Sequence, residues 1–142
     1  MSRVINTDSS GKRRTQLMRT AAEILRRLSQ KTEIDAEAKD MVAALVFIFR
    51  EIEEGIETSA AAWEKRDYWM KAEELRQRWM WPGTFADQLQ ELVLSNDWAS
   101  LPQMMVKLLP HFNDIKVTKM TRSEADWRGS HARLLAERPP AR

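Results

Sequence analysis

The chain has 142 residues, enough for one domain with its own core, and 43% hydrophobic and 31% charged residues with only 4 Gly and 5 Pro mark a folded, helix-rich protein. The absence of Cys excludes disulfides, Cys-ligated zinc, iron–sulfur clusters and thiol nucleophiles. The net charge of +2 hides a segregation: residues 1–32 carry eight Lys/Arg against two Asp/Glu, residues 33–100 seven against fifteen, and residues 101–142 eight against four. Basic ends around an acidic middle suit either a polyanionic partner or docking of the chain's own helices on one another. No stretch approaches the roughly 18 apolar residues of a membrane span, and residues 1–11 lack the apolar core of a secretory signal. The expectation is a cytoplasmic protein without a membrane partner.

Residues 1–10 show no helical period and read as a flexible arm, with Asp8, Ser9 or Ser10 capping the helix that follows. Over residues 12–30, Leu17, Ala21, Ile24, Leu25 and Leu28 fall on one helical stripe. Lys12, Gln16, Arg19, Glu23, Arg26 and Arg27 project from the other side, a basic outer face broken by one acid. Asp35 is an N-cap, with Glu37 in the first turn where a carboxylate complements the helix dipole. Residues 42–49 are then eight apolar residues in succession, a helix that needs protein all round it and so the central element of the fold. The three/four spacing of Met41, Leu45, Ile48, Ile52, Ile56, Ser59 and Trp63 continues toward Trp81. A straight helix over residues 35–81 would reach about 70 Å, too long for so small a domain, so a kink or break is expected at residues 55–59, beginning at Gly55.

Trp63, Trp69 and Trp127 read as core, whereas Trp79-Met80-Trp81 puts consecutive large apolar residues at a helix end, where they cannot all face one core. Pro82-Gly83 breaks the chain there, and Phe85, Leu89, Leu92 and Val93 mark a helix capped by Thr84 and ending near Ser95. Leu101, Met104, Met105, Leu108 and Leu109 form the next stripe, with Pro102 in its first turn and Pro110 as its stop. Residues 111–121 fit a short helix or an extended segment equally. Ser123 to Asp126 match a capping box for a last helix through Trp127, His131, Leu134 and Leu135, and residues 138–142 read as a frayed tail. The whole is read as one all-α domain over residues 1–142, a compact bundle of five to six helices around a long hydrophobic central helix.

Three constellations bear on function. Glu51 with Glu54, and Glu64 with Asp67, each put two acids on a helix face. Over these four positions the spacing is similar to the paired acidic motif of the MazG-type all-α nucleoside triphosphate pyrophosphatases, and the resemblance implies a magnesium-dependent nucleotide hydrolase with these carboxylates as ligands. The nine intervening residues are too few for two antiparallel helices and a turn, and Lys65, Arg66 and Lys71 crowd Asp67, so the acids also read as an ordinary solvated face. Neither His111 nor His131 follows a Glu at the spacing of a di-iron site. No catalytic residue, metal ligand or cofactor is assigned.

The second constellation is the basic set Lys12, Arg13, Arg14, Arg19, Arg26 and Arg27, sufficient for nucleic-acid backbone contacts and extendable by Lys107, Lys116, Lys119, Arg122, Arg128 and Arg133 if the C-terminal helix lies beside the first. The third is Trp79 and Trp81, of which at least one is expected to be available to a partner. The leading expectation is a small non-enzymatic helical subunit that contacts RNA or DNA backbone within a larger assembly. The alternatives are a protein-protein adaptor or homo-oligomeric structural protein anchored through Trp79 or Trp81, and the hydrolase.

Overall fold

The computed structural model describes the backbone of residues 7–137 and the side chains of residues 10–137. It is all-α: six helices and three short 3-10 turns, with no strand among the described residues. The helices are α1 (Thr7–Ser29), α2 (Ala36–Lys65), α3 (Trp69–Arg78), α4 (Trp81–Leu94), α5 (Leu101–Leu108) and α6 (Ser130–Ala136). The expected arm is shorter than its polar sequence suggests, because α1 already begins at Thr7 and takes in the three candidate caps. The remaining arm residues 1–6, and the tail 138–142, lie outside the described residues.

α2 is the hub. Asp35 caps it as expected, its Oδ1 accepting from the Ala38 N–H at 2.8 Å. Met41, Val42, Ala43, Leu45, Val46, Phe49 and Ile52 are all buried, and α1, α3, α4 and α6 each pack against this one helix. Side chains of this size stabilise the fold by about 1.5–3 kcal/mol each when fully buried, so this run holds the largest share of the hydrophobic driving force. Leu17, Ile24, Leu25 and Leu28 of α1 and Leu89, Leu92 and Val93 of α4 complete the same cluster.

The interruption of the long helical pattern falls at residues 66–68, not at residues 55–59. Gly55 stays inside α2, where an added Cβ would meet no neighbour. The stop is a Schellman motif: the Tyr68 N–H donates to the Trp63 carbonyl at 2.9 Å, the Asp67 N–H to that of Glu64 at 3.0 Å, and Asp67 takes the left-handed conformation with φ 63°. The hydrophobic contact that accompanies this motif is the edge-to-face pair Trp63–Tyr68, with centroids 5.6 Å apart. α2 is thus 30 residues and about 45 Å long, and α3 folds back on it, tied by Arg76, which bridges Glu64 at 2.5 Å and Glu57 at 2.9 Å.

Other boundaries also shift. Thr84 lies inside α4, which opens at Trp81 with Pro82 in its first turn. Pro110 does not end its helix sharply, since a 3-10 turn continues over Leu109–Phe112. Residues 116–122 form neither a helix nor a strand. The capping box at Ser123 is present, its N–H donating to Asp126 Oδ2 at 2.9 Å, but it starts only the turn Glu124–Asp126. α6 begins seven residues later, after Gly129 at φ 81°. A Cβ at Gly129 would meet no neighbour, so Gly129→Ala carries a backbone cost alone, about 1–2 kcal/mol, expected as a lower urea midpoint with unchanged m-value. Among the tryptophans expected in the core, Trp127 is 1% exposed and Trp63 half-buried. Trp69 is 60% exposed, because α3 turns its first residues away from α2.

Candidate functional site

α1 is wedged between α2 and the irregular segment 116–122, and this decides the fate of its basic face. Glu23, the single acid of that face, is not at the surface. It is fully buried, accepting from the Thr121 N–H at 2.7 Å, the Thr121 hydroxyl at 2.6 Å, the Arg122 N–H at 2.7 Å and Arg19 Nε at 2.6 Å. Burial pushes its pKa up, but the bonds from Thr121, Arg19 and Arg122 together outweigh it and hold the carboxyl at about 2. Of the six cations expected beside α1, Arg122 reaches it with its side chain and Lys116 and Lys119 through their carbonyls, while Arg128 and Arg133 pair with Glu124 and Glu137 and α6 packs on α2. Arg122 donates to Thr20 Oγ1 at 2.9 Å and to the Gln16 carbonyl at 3.2 Å.

The six candidate cations divide accordingly. Arg13 forms a two-point ion pair with Glu51, at 2.5 and 3.0 Å, which raises the Arg13 pKa. Arg19, besides Glu23, donates to the carbonyls of Lys116 at 3.1 Å and Lys119 at 2.6 Å. Arg27 lies 3.6 Å from Glu37 and over the Trp127 ring. Lys12 and Arg26 are exposed and have no ionic partner among the described residues. Arg14 is different from all of these. It is half-buried, its guanidinium lies 5.1 Å over the Trp79 ring, and its Nη1 is buried with no hydrogen-bond partner among the described residues. Desolvation lowers its pKa, and no carboxylate among the described residues offsets that cost.

Arg14 borders three recesses along the side of α1, one of about 330 Å³ shared with Glu51 and Glu54 and two others. The larger of those two, about 660 Å³, brings Arg14 and Arg19 together with Trp79 and Trp81, joining two constellations that the sequence kept apart. Trp81 is the centre of its aromatic wall. Its ring stacks on His111 at 4.2 Å and lies 5.9 Å from Trp79 at 29°, while Phe49, Phe85 and Phe112 meet it edge-on. Burial lowers the His111 pKa, which favours a neutral imidazole beside the indole. Arg78 and Lys116 add two exposed cations, and Asp114 is the only acid on the lining. The smaller of the two, about 530 Å³, is lined by Lys12, Arg14, Ser59, Trp63 and Leu75 among others. Ser59 Oγ is the second buried polar atom without a partner, so both unsatisfied groups among the described residues border this one space.

Within Trp79-Met80-Trp81 the residue left outside is Met80, 58% exposed, and both indoles are half-buried. His111 and Arg78 had no signal in the sequence. Each acquires its place only when the chain around residue 111 folds back against the start of α4.

The paired acids do not converge. Glu51 is bound to Arg13 and Glu64 to Arg76, and on one helix residues 51 and 64 stand about 20 Å apart. Among the described residues no group of three or more His, Asp or Glu is placed to hold a metal ion, and no helix is long and apolar enough to cross a membrane. No protein-family model matches the chain, and no curated protein or solved structure matches it significantly.

Proposed function

We propose that this protein is a small non-enzymatic helical subunit that contacts nucleic-acid backbone within a larger assembly, and that the contact centres on the recesses flanking Arg14 rather than on the outward face of α1. The observation that carries the reading is a concentration of uncompensated positive charge. Seven of the twelve arginines with described side chains are matched to a carboxylate, as in Arg13–Glu51, Arg50–Asp87, Arg76–Glu64 and Arg133–Glu137. Lys12, Arg14, Arg78 and Lys116 border one pair of recesses without such a partner among the described residues. Phosphodiesters are the polyanion such a surface suits, since each neutralised phosphate releases condensed counterions.

The test is binding of labelled single-stranded RNA and duplex DNA at two salt concentrations. Affinity is expected to fall steeply with salt, and Lys12→Glu with Lys116→Glu, both at exposed positions, is expected to weaken binding about tenfold or more and to flatten the salt slope by roughly two. Absence of binding even at low salt refutes the reading.

One observation favours a protein partner as a second reading. Trp69 and Met70 are 60% and 78% exposed beside the exposed Tyr68, at the turn joining α2 to α3. An adaptor would anchor there, so Trp69→Ala would abolish capture of its partner while leaving nucleic-acid binding intact.

A further inference from the structure

We infer that the 660 Å³ recess takes one unpaired nucleotide of a single strand, its phosphate on Arg14 and its base against the Trp79–Trp81–His111 wall. This deepens the proposal above and rests on it. A duplex keeps its bases stacked inside, so a pocket walled by aromatic rings is of no use to it. A strand with unpaired bases can place one there and gain stacking as well as charge.

Three features of the recess suit this ligand, and the third sets it apart from a bare anion. The Arg14 guanidinium carbon lies 5.1 Å from the Trp79 ring centroid, and a guanidinium over an indole face can still donate from its N–H groups to an oxyanion. Arg14 has no carboxylate partner among the described residues, so an incoming phosphate would supply the counter-charge that it lacks. The third feature is the wall. Arg78 and Lys116 stand at its edge, beside half-buried indoles, which places charge and π-surface within one small volume. That volume lies in the range of about 300–1,000 Å³ typical of sites that enclose small ligands. Sulfate or free phosphate would use the arginine and leave the rings idle.

The experiment measures anisotropy of a fluorescent uridine octamer against wild type, Trp79→Leu, Arg14→Gln, and Arg78→Gln with Lys116→Gln. The same octamer annealed to its complement, uridine monophosphate and inorganic phosphate serve as competitors. The single strand is expected to compete at least about tenfold better than the duplex. Trp79→Leu should weaken binding about tenfold with the salt slope kept, since base stacking is lost and no charge. Arg14→Gln should weaken binding and reduce the slope by about one. The exposed double variant, which touches no core residue, should reduce the slope without requiring the aromatic wall to refold.

If wild type binds the strand and all of these variants bind equally well, the recess is not the site, and of the broader proposal nucleic-acid binding survives but not its placement at Arg14. Equal competition by duplex and single strand overturns the unpaired-base inference alone. Binding of uridine monophosphate with none of the strand would make the ligand a free nucleotide and overturn the commitment to a strand. If nothing binds at low salt, both readings fall together.

Discussion

Phe49→Ala is expected to destabilise the protein by about 3–5 kcal/mol, the range for removing a fully buried aromatic side chain, and to lower the melting temperature by roughly 10 °C or more. Phe49 has no exposed surface and sits midway along α2, at the contact between the hub and the aromatic wall. Its ring meets Trp81 edge-on at 5.5 Å and Phe112 at 6.5 Å. Truncation removes apolar burial and also the support that fixes Trp81 against His111. The substitution should therefore do more than shift a melt. Intrinsic tryptophan emission should move to longer wavelength as Trp81 is wetted, and strand binding should weaken beyond what residual unfolding explains. Leu89→Ala, at an equally buried position on α4, should cost about 2–5 kcal/mol without that spectral change. If the two variants have indistinguishable emission, Phe49 does not organise the wall.

The second large effect concerns Glu23. Its pKa is held at about 2 against an ordinary 4.5, a difference corresponding to about 3 kcal/mol of stability near neutral pH. The folded state binds its proton less readily than the unfolded state, so this stability is fully present above about pH 4.5 and is lost as pH falls toward about 2. Glu23→Gln is expected to remove most of it at neutral pH, because an amide turns donors toward the N–H groups of Thr121 and Arg122 and the guanidinium of Arg19. Urea denaturation of both proteins at several pH values separates the causes. The gap between them should be widest near neutrality and shrink through the acid range. A gap that stays constant down to pH 3 would mean that Glu23 is not held charged by these bonds.

Helix identity was legible from periodicity, and the hub could be named from residues 42–49 because a helix without a polar face has one solution. The stop at residues 66–68 was not legible, since it depends on Asp67 in a left-handed conformation that an aspartate rarely adopts. Gly55, the residue that looks like a breaker, has only a local propensity cost, and the packing of α2 on both sides of it overrides that cost. Glu23 illustrates a deeper limit. Spacing assigns it to the polar side of α1, and it is on that side, but the polar side is covered by a segment about 100 residues away. The same limit applies to the basic face. Arg13 and Arg27 each have a carboxylate partner whose position follows from tertiary packing, and Arg19 is held by Glu23 one turn on and by the carbonyls of Lys116 and Lys119, so a count of cations along α1 overstates the charge available to a ligand. Trp79 and Trp81 could be singled out from their crowding at a helix end, while His111 could not.

The clasp between segment 116–122 and α1 also bears on the order in which the chain assembles. Its bonds join residues 97 to 106 apart in sequence, so they form only after a long loop has closed, whereas α1, α3 and α4 find α2 within shorter reaches of chain. During synthesis, the hub and its nearest neighbours have been made well before Thr121 leaves the ribosome. Until that residue docks, Glu23 is a solvated acid on a basic surface, as its spacing suggests. The carboxylate is thus present first as a soluble handle on a nascent helix, and becomes the buried receptor for the chain's last third when that part is delivered.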